Sequence, residues 1–263
     1  MWNWSKDGHL IVILKNINYK SKNISKYYKK NRILWKQFYK SERVIISNLF
    51  LKPNQSILDV GCGCAGLGLA LKEKFGIIDY TGVEVNYYAA QTARNLAPHA
   101  KIIEGDILNL DNISFNSDRY DFVFSLSCID WNLEFNKMLT LLWGKVKPGG
   151  GLICTFRITL NETCKNISKS FQYINYNGKL EGEKAAYIVL NINDLKRLLI
   201  ALDPLYIKAH GYYGVPSNTA ITPYKQLCFA AVAIYKRMPS DDSATTYDLN
   251  LPTDIKNRWL ATS

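Results

Sequence analysis

The sequence lacks any long apolar run. Near its start the longest run, Leu10 to Leu14, has five residues, whereas a membrane-spanning helix needs roughly 20 apolar residues and the core of a signal peptide roughly 7–15. We therefore predict neither a membrane span nor a secretory signal. With 48% hydrophobic and 13% aromatic residues, the chain of 263 residues is not of the disordered, collagen-like or coiled-coil class. It can bury a sizeable core in one large domain or two small ones.

Metal-binding and disulfide patterns are also missing. The six cysteines include no Cys-x-x-Cys pair, and the three histidines do not cluster with them, so a zinc site is not expected. Cys62 and Cys64 lie inside a glycine turn, and the other four cysteines are scattered. Scattered cysteines in a chain of this length do not form a disulfide framework. We expect a protein of the reducing cytoplasm with no metal and no membrane partner.

Acidic residues are scarce at one end of the chain. Residues 1–50 contain 11 basic and 2 acidic side chains. Their net charge of +9 accounts for most of the net charge of +11 of the whole chain. One interpretation is that this segment binds RNA, because Tyr27, Tyr28, Trp35 and Tyr39 lie among the basic residues and can stack on bases. The other is a cover helix whose lysines are merely solvated. We favour the cover helix because no RNA-binding module is recognisable elsewhere.

Hydrophobic periodicity predicts helices and strands in alternation. Residues 25–50 have apolar side chains close to a 3.6-residue period, which indicates one N-terminal helix. Segments with helical spacing then separate five apolar strands, which are Ser56–Cys62, Tyr80–Asn86, Lys101–Ile107, Tyr120–Ser127 and Gly151–Thr159. Apolar strands that alternate with helices predict an α/β fold with a doubly wound, mostly parallel sheet covered on both faces.

After residue 159 the alternation stops. Residues 160–192 contain two strand-like segments around an Asn177–Gly178 turn, which predicts an inserted hairpin. Two late strands follow, and residues 238–263 are polar with little periodicity. The predicted organisation is a basic helical cap over residues 1–53, one domain over residues 54–237 with the insertion inside it, and a C-terminal tail over residues 238–263.

The first strand ends in an acidic residue and a glycine-rich turn, residues 59–66 (DVGCGCAG). Glycine lets the backbone approach a ligand without an intervening Cβ, and open α/β sheets bind ligands at the carboxyl ends of their strands. The Gly-x-Gly-x-x-Gly spacing of this turn also fits a dinucleotide-binding protein. The turn alone therefore predicts a ligand site but not the ligand.

Four further landmarks follow the glycine turn. Glu84 ends the second strand, residues 105–107 (GDI) end the third, residues 120–123 (YDFV) open the fourth, and residues 147–151 (KPGGG) precede the fifth. In this order and spacing, over roughly residues 54–160, the sequence resembles the class I S-adenosylmethionine-dependent methyltransferases. Ala65 stands where that family has a third glycine, a position at which a positive φ would disfavour alanine.

The resemblance implies a seven-stranded sheet with an antiparallel last strand, S-adenosylmethionine as cofactor and S-adenosylhomocysteine as product. Glu84 would accept hydrogen bonds from both ribose hydroxyls, and Asp106 from the adenine amino group. The cofactor-binding residues that it implies are Asp59, Gly61, Cys62, Gly63, Glu84, Val85, Asp106, Ile107 and Ser127. The structural alternatives are turn caps for Asp59 and Asp106 and a solvated strand end for Glu84.

The family places acceptor-facing residues after the fourth strand, here residues 125–132 (SLSCIDWN). This is not the Asn/Asp-Pro-Pro-aromatic motif, which argues against DNA adenine or protein glutamine as acceptor. The candidate general bases are Asp130 and His210, since histidine has an unperturbed pKa of about 6.5. A helix cap is the alternative for Asp130, and a structural role is the alternative for His210. The candidate substrate-binding residues are Trp35, Tyr39, Arg43, Trp131 and Tyr212, with Arg43 suited to a carboxylate of the cofactor or an anionic group of the substrate.

The predicted function is methyl transfer from S-adenosylmethionine to an oxygen or nitrogen of a small-molecule acceptor. The first alternative is an RNA methyltransferase that uses the basic N-terminal helix. The second is a cofactor-binding regulator without transfer chemistry. Fold alone does not decide among the three.

Overall fold

The computed structural model describes residues 3–4, 10–11, 16–17, 19–109, 115 and 117–261. Its strands are β1 (Asn3–Trp4), β2 (Leu10–Ile11), β3 (Ile57–Val60), β4 (Tyr80–Glu84), β5 (Lys101–Glu104), β6 (Tyr120–Ser125), β7 (Val146–Thr159), β8 (Phe171–Ile174), β9 (Glu183–Ala186), β10 (Leu190–Asn191), β11 (Pro204–Gly214), β12 (Ala220–Ile221), β13 (Leu227–Lys236) and β14 (Thr246–Asn250). Its helices are α1 (Asn23–Asn31), α2 (Lys40–Ser47), α3 (Gly66–Phe75), α4 (Tyr87–Leu96), α5 (Phe135–Gly144), α6 (Ile192–Ile200) and α7 (Thr253–Leu260). Short 3₁₀ turns occupy Trp35–Gln37, Ile107–Asn109 and Ile129–Trp131.

A nine-stranded sheet lies at the centre, in the order β14-β11-β13-β7-β6-β3-β4-β5, with β10 added beside β7. The strands from β5 across to β7 are parallel, whereas β13 is antiparallel to both of its neighbours, β7 and β11. This arrangement confirms the predicted doubly wound, mostly parallel α/β fold. Seven of the strands match the expected seven, and β10 and β14 extend the sheet beyond that number.

Helices cover both faces of the sheet because its central strands are apolar on both sides. α2, α3 and α4 pack on one face through residues such as Ile45 and Leu71. α5, α6 and α7 pack on the other face through residues such as Leu139 and Leu195. None of the described helices is both long and apolar enough to cross a membrane.

The single N-terminal helix expected over residues 25–50 is instead two helices, α1 and α2, with a 3₁₀ turn between them. The Gln37 side chain accepts the backbone N–H groups of Ile33 and Leu34, both at 2.8 Å, and donates to the carbonyl of Lys30 at 2.7 Å. These bonds satisfy backbone groups that a continuous helix would pair internally. The helical prediction was therefore wrong about continuity, which changes the direction in which the following side chains point.

The insertion contains a small sheet of its own. β8 and β9 form an antiparallel pair, and β12 joins β8 on its other side. The turn of the hairpin includes Tyr176 and Gly178, with φ angles of 57° and 80°. The chain then returns to the central sheet through β10, which runs parallel to β7.

The C-terminal residues, expected as a tail, are part of the central fold. β14 pairs in parallel with β11 at the edge of the sheet, and α7 packs against α6. Ile255 and Trp259, four residues apart on α7, are buried in the main core, Trp259 being 2% exposed. The segment lacked a clear sequence signal because only one side of a short helix is apolar, and β14 has one buried residue, Leu249.

We expect Trp259→Ala to reduce the free energy of unfolding by about 3–5 kcal/mol, because it empties a buried aromatic site. Leu260→Ala is the matched control, since Leu260 is the next residue and is 51% exposed. Its effect should stay within about 0.5 kcal/mol. Urea-induced unfolding of the two variants measures the difference. Equal, small effects would show that α7 contributes nothing to the folded core.

Candidate functional site

Two adjoining cavities lie at the carboxyl ends of β3, β4 and β6. They share Tyr28, Gly61 and Ser127 in their linings. The larger one, about 770 Å³ including its open mouth, extends to Glu84 and is called the Glu84 cavity. The smaller one, about 430 Å³, extends to Asp59 and is called the Asp59 cavity. These volumes fall in the range of roughly 300–1,000 Å³ typical of small-molecule sites.

Glu84 ends β4 and is 7% exposed. One carboxylate oxygen accepts the N–H of Gly63 and the other accepts the N–H of Asn86, each at 2.8 Å. Burial raises the pKa of this carboxyl, and the backbone donors offset only part of that rise. Each oxygen keeps a lone pair for a further donor, so Glu84 can accept a pair of neighbouring hydroxyls. Its burial excludes the solvated strand end that was the alternative.

At the glycine turn the backbone itself lines the cleft, because glycine has no side chain. Gly61 has a φ of 78°, and a Cβ at this position would collide with the side chain of Cys128. Ala65 adopts a φ of 60° and donates its N–H to the carbonyl of Cys62 at 2.9 Å. The turn therefore keeps its left-handed residue even with alanine there, at a cost of roughly 1–2 kcal/mol.

Asp59 is buried at the end of β3 and lines the Asp59 cavity. Its Oδ2 accepts a hydrogen bond from the hydroxyl of Tyr80 at 2.6 Å. Burial raises the pKa of Asp59 to about 7, against the opposing effects of that hydrogen bond and of Arg32. Near neutral pH this side chain is therefore a mixture of acid and carboxylate, rather than a simple turn cap.

Asp106 caps a turn and also lines a cavity. Its Oδ1 accepts the N–H of Leu108 at 3.0 Å, and its Oδ2 accepts a hydrogen bond from the Asn109 side chain at 3.2 Å. These bonds cap the 3₁₀ turn that follows β5. The residue also lines the Glu84 cavity, so turn capping and ligand contact are compatible.

The structure brings all of the expected cofactor-binding residues to the cleft. Each of them lines at least one of the two cavities, namely Asp59, Gly61, Cys62, Gly63, Glu84, Val85, Asp106, Ile107 and Ser127. Ser127 has a φ of 50° and donates its N–H to the Thr155 hydroxyl at 2.6 Å. A left-handed residue other than glycine at the end of β6 is strained backbone of the kind that clusters at functional sites.

Asp130 is not placed as a general base. It is 5% exposed and forms an ion pair with Nη1 of Arg157 at 3.3 Å. Burial raises the pKa of Asp130, and the positive charge of Arg157 counteracts this. Asp130 lines neither cavity, and its side chain belongs to an internal ion pair with Arg157.

His210 also lies away from the cleft. It is on β11, which is separated from β6 by β13 and β7, and it lines neither cavity. Burial lowers the pKa of this imidazole, and the nearby Lys40 lowers it further. The structure therefore does not bring His210 and Asp130 together at the cleft, and the position of His210 does not support its prediction as a general base.

Of the candidate substrate-binding residues, only Trp131 lines the cleft. Trp35 packs on Phe38 and Phe75, Tyr39 is exposed, Arg43 donates to the carbonyl of Phe38 at 3.1 Å, and Tyr212 packs near Phe229. In a continuous helix Trp35, Tyr39 and Arg43 would share one face. The helix is interrupted between α1 and α2, and none of the three lines the cleft.

Sequence reasoning missed the residues that cover the cleft. Tyr19 lines the Glu84 cavity, Arg32 lines the Asp59 cavity, and Tyr28 lines both. The Asn86 side chain donates to the backbone carbonyl of Tyr19. Asn16 also reaches the cavity, where it accepts the N–H of Leu133 at 2.7 Å. Residues 16–21 show no hydrophobic periodicity, so no local sequence pattern predicts that they lie at the cleft.

Within the described part of the chain, no group of three His, Cys, Asp or Glu residues is placed to hold a metal ion.

Comparisons with known proteins agree with this geometry. Residues 57–150 match the model of a family described as methyltransferase domain. Phosphoethanolamine N-methyltransferase 1 of Zea mays is 24% identical over 179 residues, which are 64% of this chain and 34% of the maize protein. The U6 snRNA methylphosphate capping enzyme Amus of Drosophila melanogaster is 26% identical over 163 residues, 53% of each chain. The chain thus spans about a third of the maize relative's length.

Solved structures show the same fold. A SAM-dependent methyltransferase of Methanosarcina mazei aligns with a TM-score of 0.57 at 18% identity, over 76% of this chain and 99% of that one. Phosphoethanolamine N-methyltransferase 2 of Haemonchus contortus, in complex with S-adenosyl-L-methionine, aligns with a TM-score of 0.58 at 15% identity. That alignment covers 83% of this chain and 58% of the nematode protein.

The fold is that of the class I S-adenosylmethionine-dependent methyltransferases. Three features define it, which are the order of the strands, the glycine turn and the buried Glu84 at the end of β4. The chain shares this fold, and its residues 57–150 match the family described as methyltransferase domain. The family and the cofactor class predicted from the sequence are thereby confirmed.

The raised pKa of Asp59 predicts a pH-dependent stability. The folded state holds the proton up to a pH of about 7, whereas the unfolded chain releases it near pH 3.8, the ordinary pKa of an aspartate. Wild-type protein should therefore lose stability relative to Asp59→Asn as pH rises from 4 to 7. The loss has a ceiling of about 4 kcal/mol at about 1.4 kcal/mol per pKa unit. Urea unfolding at pH 4 and pH 8 measures it.

Asp121→Asn is the matched control with the opposite sign. Hydrogen bonds from Ser56 and Lys147 outweigh the effect of burial and lower the pKa of Asp121. That carboxylate stabilises the fold above its unfolded pKa, so Asp121→Asn should be less stable than wild type at pH 8 and not at pH 3. The same pH dependence in both variants would contradict the assignment for Asp59.

Proposed function

We propose that the chain binds S-adenosylmethionine in the cleft and transfers its methyl group to an oxygen or nitrogen of a small-molecule acceptor. The observation that carries this proposal is the Glu84 carboxylate, fixed by Gly63 and Asn86 and directed at the Glu84 cavity. Its two oxygens suit the vicinal hydroxyls of a ribose. Asp106 and Ile107 lie farther along the same cavity, in position for the adenine.

The cofactor supplies an electrophilic methyl group on a sulfonium, and the protein holds cofactor and acceptor in position for the transfer. Gly61 and Gly63 allow backbone to approach the ligand closely. Holding an acceptor in line with the methyl group can account for most of the rate. Neither predicted base reaches the cleft, so a neutral amine or an already ionised oxygen is the acceptor that this arrangement serves best.

A small acceptor is supported by the covered shape of the cleft. Tyr19 and Trp131 line the Glu84 cavity beyond the ribose position. Tyr28 and Tyr176, whose hydroxyls are 3.2 Å apart, join α1 to the inserted hairpin beside the glycine turn. A concave site lined by aromatic side chains suits a small molecule. Curated relatives include phosphoethanolamine N-methyltransferases, which act on acceptors of this size.

We expect Glu84→Ala to weaken the binding of S-adenosylmethionine by about 1–3 kcal/mol, because charge-assisted hydrogen bonds are lost. Isothermal titration calorimetry measures the change, with circular dichroism to verify folding. Glu104→Ala is the matched control, since Glu104 is the register partner of Glu84 on β5 and lies at the surface in an ion pair with Arg94. Tight NAD binding, or no response of wild-type protein to S-adenosylmethionine, would overturn the proposal.

One observation favours a second candidate, an RNA acceptor. Lys26, Lys29, Lys30 and Lys36 are exposed beside the cleft, and none has an ion-pair partner among the described residues. A relative is an RNA methylphosphate capping enzyme. Exposed lysines on a short helix are also what a solvated cover requires, and for that reason the small-molecule acceptor is preferred.

Salt dependence separates the two candidates. For a cover helix we expect no appreciable binding of a single-stranded RNA oligonucleotide at physiological salt, measured by fluorescence anisotropy. A log–log salt slope of about −3, the value for roughly four phosphate contacts, would instead favour RNA. In that case the slope should disappear when the four lysines are changed to Gln. Such a result would refute the small-molecule proposal.

A further inference from the structure

The outer side of α1 and the turn that follows it carry a dense set of lysines. Residues 20–41 contain seven lysines and one arginine but no acidic residue. The arginine, Arg32, is paired with Glu42. All seven lysines are exposed, and none has an ion-pair partner within the described residues. We call this set the lysine surface, and its members are Lys20, Lys22, Lys26, Lys29, Lys30, Lys36 and Lys40.

The lysines of α1 share one side of the helix because its other side packs on the protein. Lys26, Lys29 and Lys30 have the i, i+3, i+4 spacing of one helix face. Ile24 and Tyr28 lie on the opposite face and line the Glu84 cavity. Like charges at this spacing destabilise a helix. An anionic partner would remove a repulsion that the free protein retains.

Exposed apolar side chains lie among these charges. Tyr27 is 40% exposed, Leu34 is 43% exposed and Leu180 is 57% exposed. Leu34 lies between the end of α1 and the 3₁₀ turn. Tyr27 stacks on Tyr176 with 4.4 Å between the ring centres, and Leu180 belongs to the same hairpin turn as Tyr176. The end of α1 and the hairpin turn thus place apolar groups beside the lysine surface.

Two kinds of polyanion fit unpaired lysines, an anionic bilayer and a nucleic acid. Clusters of several basic residues on an amphipathic helix are typical of proteins that bind anionic lipids. Leucine side chains neither stack on bases nor contact phosphates, whereas they enter the headgroup region of a bilayer, and tyrosine is enriched there. We propose that the lysine surface binds bilayers that contain anionic phospholipids, with Tyr27, Leu34 and Leu180 at the level of the headgroups.

This binding is peripheral and needs no spanning segment. The sequence predicted no membrane partner because it lacks a long apolar run, but attraction to anionic headgroups requires only unpaired positive charge. Two acids of the hairpin lie near the lysine surface. Glu181 is 3.6 Å from Lys179, and Glu183 accepts the N–H of Lys20 at 3.0 Å. They leave a large positive excess, because seven lysines face them.

Flotation of the whole chain with lipid vesicles tests the inference. We expect binding to vesicles of phosphatidylserine and phosphatidylcholine, and not to vesicles of phosphatidylcholine alone. Binding should weaken with added salt, because the Debye length falls from about 10 Å at 0.1 M to about 3 Å at 1 M. Changing Lys26, Lys29, Lys30 and Lys36 to Gln should lower the partition coefficient roughly 100-fold or more, at about fivefold per lysine.

A second fourfold variant is the matched control, since it makes the same change of net charge at exposed lysines on other parts of the chain. Its substitutions are Lys52→Gln, Lys137→Gln, Lys225→Gln and Lys256→Gln. We expect it to retain most of the binding. Leu180→Ser keeps the charge and should weaken binding roughly 5- to 10-fold, because an aliphatic group no longer leaves water. Circular dichroism verifies that each variant folds.

Three results would overturn the inference, namely equal binding to both kinds of vesicle, equal loss in the two fourfold variants, and binding to single-stranded RNA but not to vesicles. None of the seven lysines lines either cavity, so the inference is independent of the proposed function. Calorimetry with S-adenosylmethionine on the same protein keeps the two apart, since a failure there would refute the proposed function alone.

Discussion

The Glu84 carboxylate joins the parts of the cleft. Its two oxygens accept N–H groups from the turn after β3, at Gly63, and from the start of α4, at Asn86. Asn86 then caps α4 by accepting the N–H of Ala89 at 2.8 Å, and its amide donates to the carbonyls of Tyr19 and Ser21. One buried acid thus fixes the glycine turn, the next helix and the covering segment relative to one another. Because a buried carboxylate must satisfy its lone pairs, this network is also a requirement of the fold.

The acceptor side depends on a second buried charge. Arg157 of β7 donates from Nη1 to the carbonyl of Asp130 at 2.8 Å, and its guanidinium lies 4.2 Å from the ring centre of Trp131 and 3.7 Å from that of Tyr187. The N–H of Ile188 donates to the same carbonyl at 3.0 Å. These contacts join the insertion to the 3₁₀ turn after β6 and fix Trp131 as a wall of the cleft. The residue predicted to be a base serves here as counter-ion.

The family match and the specificity elements occupy different parts of the chain. Residues 57–150 contain β3 to β6 and α3 to α5, which supply the glycine turn, Glu84 and Asp106. Part of the lining of the cleft, including Tyr19, Tyr28 and Arg32, comes from residues outside that range. Variable segments on a rigid sheet usually determine which ligand is accepted. We expect the segments outside the family match to contribute to the choice of acceptor.

The sequence by itself determined the sheet, its two helical layers and the residues expected at the cleft, because these depend on local patterns. Apolar strands, a glycine turn and acids at strand ends are short-range features, and parallel strands bring their carboxyl ends to one edge. Only the tertiary structure placed Arg32 at the Asp59 cavity, and Asp130 and His210 outside both cavities. Asp130 meets Arg157 across 27 residues of sequence, and His210 is removed from the cleft by the strand order. Trp259 likewise joins the core through contacts distant in sequence. Such contacts arise from packing between elements, for which a single sequence carries no periodic signal.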